Sequence, residues 1–114
     1  MRVLEQVVSD DSHGFLLLAS RGSQPVGVAY VAIILSAEHC GKVGWLEELY
    51  VAPKHRSKGV GRALLGAVIK QARELGIIAI DLEIDAAHRR AARLYRRFGF
   101  RSLDRSRWVR KLKK

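Results

Sequence analysis

Residues Trp45–Leu75, WLEELYVAPKHRSKGVGRALLGAVIKQAREL, constrain this chain more than any other stretch. Trp45–Val51 has strand character, and Pro53, which cannot donate to a ladder, ends it. Lys54–Lys58 is a basic turn, and Gly59 and Gly61 frame the start of a helix. Along that helix Gly61, Leu64, Leu65, Val68, Ala72 and Leu75 fall on one stripe. Lys70, Gln71, Arg73 and Glu74 lie off it, and Gly76 stops the helix at a C′ position. A helix that opens directly after a turn presents unpaired backbone N–H groups and the positive end of a dipole. The stretch therefore reads as a phosphate-binding device.

The rest of the chain is arranged around it. Ile77–Ile84 reads as the next strand, and a crossover helix makes it parallel to Trp45–Val51. Upstream, Phe15–Ser20 and Val26–Leu35 read as an antiparallel hairpin turned by Arg21–Gln24. The second of these is apolar on both faces, so it is expected to be central and covered on both sides. Val3, Leu4, Val7 and Val8 have the spacing of a short amphipathic helix, followed by a loop over Ser9–Gly14. Asp85 is a good N-cap for a second helix, Ala86–Phe98, which Gly99 ends. Phe100–Leu103 and Trp108–Leu112 read as a final hairpin around Asp104–Ser106. The order β-β-β-α-β-α-β-β predicts an α/β domain spanning residues 1–114, a mixed sheet with helices on its faces.

The net charge of +10 is unevenly distributed. Residues 86–114 hold twelve Lys/Arg against one acid, and residues 1–85 hold nine against ten. Such a segment attracts polyanions: nucleic acid, a phosphorylated cofactor or an acidic protein. No apolar run approaches the ~20 residues of a membrane span, so no membrane role is expected. The start MRVLEQVVSDDSHG lacks a basic region followed by an apolar one, and the single cysteine, Cys40, allows no internal disulfide. A reducing cytoplasm is the expected compartment. His13, His39, His55 and His88 have no metal-ligand spacing, so no metal is expected.

Arg56-Ser57-Lys58-Gly59-Val60-Gly61 fits R/Q-x-x-G-x-G/A, with a strand before it and a helix after it. It is not a dinucleotide fingerprint, which would need glycine where Leu64 stands, nor a P-loop, since no Gly-Lys-Ser/Thr occurs. Downstream, Ala91-x-x-Leu94-Tyr95-x-x-x-Gly99-Phe100 supplies a second pattern, one helix and one strand away. Together the two resemble the motifs of the GNAT superfamily of acetyl-CoA-dependent N-acetyltransferases, over about residues 45–101. The resemblance implies a GNAT-like mixed, mostly antiparallel sheet with a central parallel strand pair. The family places a strand and two helices ahead of the first hairpin. About 14 residues precede Phe15 here, so a shortened N-terminal helical region is expected.

The resemblance also assigns residues. The turn Arg56, Ser57, Lys58, Gly59, Val60, Gly61 and Arg62 would hold the pyrophosphate of acetyl-CoA. Leu49, Tyr50 and Val51 would pair by backbone with the pantetheine arm, in a gap where the two parallel strands separate. Tyr95 would sit near the thioester sulfur and protonate the leaving thiolate. His88 stands where the family often has an asparagine that contacts the cofactor arm. An amine acceptor of ordinary pKa is protonated at pH 7, so a base helps. Alternation puts Glu47 and Glu48 on opposite faces of their strand, and the resemblance favours Glu47 as base. Asp81, Glu83 and Asp85 alternate along the neighbouring strand, as an acidic lining or simply a polar face.

The expected function is acetyl transfer from acetyl-CoA to a primary amine by direct attack. The alternatives are a non-catalytic acetyl-CoA-binding sensor and a basic nucleic-acid module built on Arg89–Lys114. That segment shows neither a recognition-helix pattern nor an aromatic stacking platform, which counts against nucleic acid. Exposed final strands leave a homodimer open, and the acceptor, a small molecule or a protein or peptide amine, is not named by these residues.

Overall fold

A computed structural model describes the backbone of residues 2–6 and the whole of residues 13–113. Its strands are β1 (Arg2–Gln6), β2 (Gly14–Arg21), β3 (Gln24–Ser36), β4 (Gly41–Val51) and β5 (Ala79–Asp81). Its helices are α1 (Val60–Glu74) and α2 (Ala91–Arg97). The strands form one sheet in the order β1-β2-β3-β4-β5. The first three pairings are antiparallel, and only β4 and β5 run parallel. The mixed sheet with a parallel pair is therefore as expected.

The β2–β3 hairpin turns at Gly22–Ser23, where Gly22 has φ +61°. Pro25 is tolerated inside β3 because a bulge at Val26 shifts the register there. β3 is central, as predicted. One of its faces is fully buried at Ala29 and Val31 and emerges toward Leu35, and the other is only half covered. Phe15, Leu17, Ala19, Ala29, Val31 and Leu46 meet Leu64, Leu65, Val68 and Ala72 of α1 to form the core. α1 ends as its sequence predicts: Gly76 takes φ +76°, and the Ile77 N–H donates to the Ala72 carbonyl.

Four expectations are corrected. Residues 2–6 are a strand paired with β2, not the start of a helix; the part of that expectation on residues 7–12 lies outside the described residues. Sheet pairing there satisfies a whole ladder of backbone groups, which outweighs a weak helical period. The strand after α1, β5, pairs over three residues only, not over Ile77–Ile84. The second helix is broken: Ala86–His88 is a single 3₁₀ turn and α2 starts at Ala91. Asp85 caps no backbone N–H with its side chain, because its carboxylate is taken by the His88 ring at 2.6 Å. The final hairpin is absent, and residues 100–113 contain no strand. The intended turn is held elsewhere, with the Arg105 guanidinium on Glu38 at 2.8 Å and that of Arg107 on Glu83 at 3.4 Å.

One irregularity positions the site. Tyr30 pairs with Glu48 but Val31 pairs with Leu46, so Glu47 is an extra residue in β4. Such a bulge bends its strand and increases its twist. β4 and β5 pair from Val43/Ala79 to Trp45/Asp81 and then part, just before the bulge. Beyond Trp45, the side of β4 turned away from β3 is without a ladder partner among the described residues.

Candidate active site

The basic turn sits at the far end of that gap. Ser57 and Gly59 both have positive φ, +63° and +87°, which reverse the chain between β4 and α1. α1 then begins with no side-chain cap and no acid in its first turn. Its first N–H groups and dipole end are thus left without a side-chain partner beside exposed Arg56, Lys58 and Arg62. A Cβ built on Gly61 would meet only Leu94 at 3.6 Å and Val51 at 3.9 Å, ordinary contact distances. The fold itself does not demand glycine at 61, so the requirement is consistent with close approach of a ligand. These features suit an anionic phosphate group.

Arg56 is also structural. Its Nε donates to the Val51 carbonyl at 2.9 Å, and its guanidinium lies 5.5 Å from the Tyr50 ring centre. The sequence assigned Leu49, Tyr50 and Val51 backbone contacts with the cofactor arm; the Val51 carbonyl is already engaged, the Tyr50 groups face β3 in phase with Ala52, and those of Leu49 face the open side. His88 lies on the 3₁₀ turn, exposed and bonded to Asp85. That hydrogen bond holds the Asp85 carboxyl below its ordinary range; desolvation opposes it, and the ring's charge adds a smaller share.

Tyr95 occupies the inner face of α2, packed against the core cluster. The spacing of its motif has a direct physical reading. Gly99 takes φ +89°, which lets the Phe100 N–H fold back onto the Tyr95 carbonyl at 3.1 Å. The Phe100 ring then meets the Tyr95 ring edge-on, 5.7 Å between centres. Burial pushes the Tyr95 pKa up, and the negative charge of Glu48 pushes it further. The phenol is held protonated, as a proton donor must be.

The bulge alters the reading of the two glutamates. Leu46 points into the core, and with the extra residue at 47 both Glu47 and Glu48 are exposed rather than split between the faces. Glu48, not Glu47, is the acid whose charge reaches Tyr95. Sequence reasoning missed the Arg56 tether, the Phe100 ring against Tyr95 and the Trp45–Arg107 stack at 5.3 Å. Only the second left a signal in the sequence, the Gly99-Phe100 end of the motif.

A cleft of about 690 Å³ opens on the other side of β5. It is lined by residues 80–84, by Tyr95, Trp45 and Glu38, and by the segment 100–107 apart from Asp104. None of residues 49–62 borders it, so it is separate from the turn.

The profile of the acetyltransferase (GNAT) family matches residues 1–100. The chain belongs to the GNAT acetyltransferase family. It is 32% identical over 107 residues to aminoglycoside N(6′)-acetyltransferase type 1 of Stenotrophomonas maltophilia, covering 90% of this chain and 69% of that one. It is 38% identical over 91 residues to mycothiol acetyltransferase of Propionibacterium freudenreichii, covering 79% of this chain but 28% of the relative. This GNAT chain thus spans under a third of the mycothiol enzyme's length. Among solved structures, an integron cassette protein from the Cole Harbour Salt Marsh metagenome superposes with a TM-score of 0.82 at 26% identity, over 95% of this chain and 66% of that one. AAC(6′)-Iy in complex with the bisubstrate analogue CoA-S-monomethyl-acetylneamine superposes with a TM-score of 0.79 at 22% identity, over 92% of this chain and 73% of that one, a likeness of fold.

Proposed function

We propose that this GNAT chain is a cytoplasmic N-acetyltransferase that moves an acetyl group from acetyl-CoA to a primary amine, and that it works as a homodimer. The observation that carries the reading is the gap opened by the Glu47 bulge, with the uncapped start of α1 beside it and protonated Tyr95 near Glu48. The N–H groups at residues 60–62 with Lys58 and Arg62 hold the phosphates, and Leu49, whose backbone groups face away from β3, offers them to the arm. Acetyl-CoA supplies an activated acyl group: the amine nitrogen bonds to the acetyl carbon, the C–S bond breaks, and CoA leaves as the thiol.

Two protons must move. The attacking amine loses one, to Glu47 or Glu48 directly or through water, and both are exposed at the bulge where an amine can reach them. The departing sulfur gains one, from the Tyr95 hydroxyl. The excess of acid near the attack point attracts a cationic acceptor. The names of its relatives, mycothiol, aminoglycoside and D-amino-acid acetyltransferases, favour a small-molecule amine over a peptide.

The test is thiol release from acetyl-CoA across a panel of such amines, with Glu47→Gln and Glu48→Gln in parallel. Turnover with at least one amine, slowed in one of the two variants and most at low pH, is expected. Tight acetyl-CoA binding with no turnover for any amine would replace the enzyme by a binding domain.

A further inference from the structure

The 690 Å³ cleft meets the proposed reaction centre at two points. Trp45 and Asp81, the last pair joining β4 to β5 before the gap, both line it. So does Tyr95, the residue assigned to protonate the leaving sulfur. The basic turn does not border it, so phosphates held at the turn leave the cleft free. Its volume is that of an ordinary small-molecule site.

The charges of the cleft are unevenly engaged. Four arginines and three carboxylates line it, an excess of one positive charge. Glu38 is held by Arg105 at 2.8 Å, and Glu83 by Arg107 at 3.4 Å. Asp81 faces the His39 ring at 3.5 Å. Of the acidic row at 81, 83 and 85, two members are therefore bonded elsewhere, Asp85 by His88 outside the cleft. The row is not an open lining for a cation. Arg96 and Arg101 also line the cleft, are exposed, and make no ion pair among the described residues.

Two unpaired guanidinium groups suit a carboxylate, which each can bind through parallel N–H groups. Once its amine has lost the proton, an acceptor with one carboxylate carries a single negative charge. That complements the single positive excess of the cleft. A phosphate monoester, at about −1.5 to −2, would overshoot it. Arg96 follows Tyr95 directly on α2 and both border the cleft, so anion and amine are held close together, as they are in an amino acid. Ile80, Leu82, Ile84 and Leu103 give the same cleft an apolar wall.

Resting on the acetyl-transfer reading above, we propose that the cleft is the acceptor pocket and that Arg96 and Arg101 select an amino acid with an apolar side chain by its carboxylate. Its ammonium end is drawn to Glu47 and Glu48 at the bulge. The product is an N-acetyl amino acid. The amine nitrogen bonds to the acetyl carbon and the C–S bond breaks; the amine proton goes to a glutamate, and the sulfur takes the Tyr95 proton.

Calorimetry in the presence of CoA, which has no acetyl group to transfer, reads binding apart from turnover. Leucine should bind about tenfold more tightly than leucine amide, as a charge-assisted hydrogen bond provides. Added salt should shrink that margin. Arg96→Gln/Arg101→Gln should abolish it, while Arg93→Gln, on the same helix but off the cleft, should keep it. With acetyl-CoA, the double variant should raise KM for leucine far more than it lowers kcat. Leucine amide bound as tightly as leucine overturns the proposal, and so does a margin that survives the double variant. O-Phosphoethanolamine bound more tightly than leucine overturns the choice of carboxylate. Turnover of other amines with no leucine binding overturns the proposal and leaves acetyl transfer standing. A carboxylate margin with no turnover of any amine leaves the selection by Arg96 and Arg101 standing and overturns acetyl transfer. Neither leucine binding nor turnover overturns both.

Discussion

Tyr95 shows how environment tunes one side chain. Its pKa is raised by burial and then by Glu48, so the phenol stays neutral past the ordinary tyrosine value of about 10. The Tyr95→Phe enzyme should fold normally and lose about 10²–10⁴ in kcat, the usual worth of a positioned acid. Loss of activity from Tyr95 ionisation should begin only above its ordinary value of about 10. Because the folded pKa lies above the unfolded one, this group's contribution to stability is fully present below about pH 10 and disappears as pH rises through the folded value. Thermal unfolding of wild type and Tyr95→Phe between pH 8 and 11 should therefore diverge only at the alkaline end. Gly61 gives the complementary case. Gly61→Ala meets only ordinary contacts in the free protein, so its Tm should stay near wild type while acetyl-CoA binding, followed by calorimetry, weakens several-fold. Equal losses of both would make Gly61 a packing residue.

At the scale of elements, backbone conformation decides which substitutions matter. Gly59 has open space around it but φ +87°, so Gly59→Ala should cost about 1–2 kcal/mol in denaturant unfolding. Leu64→Ala, in the fully buried face of α1, should cost about 2–5 kcal/mol by the same measurement. The 3₁₀ turn ahead of α2 depends on the Asp85–His88 contact. The Asp85 pKa is lowered, so its contribution is present above the unfolded value near 4 and lost as pH falls through the folded one. An NMR titration should find Asp85 below the ordinary aspartate range, and His88→Ala should return it there. The period of α1, its Gly76 stop and the Gly99-Phe100 closure were all legible because each is a local requirement of a few neighbouring residues. The Glu47 bulge was not, since nothing within WLEELYV distinguishes an extra residue from regular alternation; it exists only in register with β3.

For the whole molecule, acetyl-CoA bound at an uncapped helix start should stabilise the fold by mass action. At one hundred times its Kd the gain should be about 2.7 kcal/mol, seen as a rise in Tm that shrinks with added salt. A Tm indifferent to acetyl-CoA would count against the site. Local signals in the sequence determined most of the framework: the hairpin, the strand–turn–helix with its bare N-terminus, the parallel crossover and the spacing that brings Phe100 onto Tyr95. These follow from side-chain period, glycine conformations and chain handedness, all of which act over a few residues or along one connection. Tertiary structure alone decided that residues 2–6 add a strand, that both glutamates are exposed, that Arg56 closes on Val51, and that Trp108, Val109 and Leu112 stay exposed instead of forming a final strand. Those outcomes depend on which distant segment satisfies a backbone edge or a charge first, and that competition is settled only when the sheet is assembled.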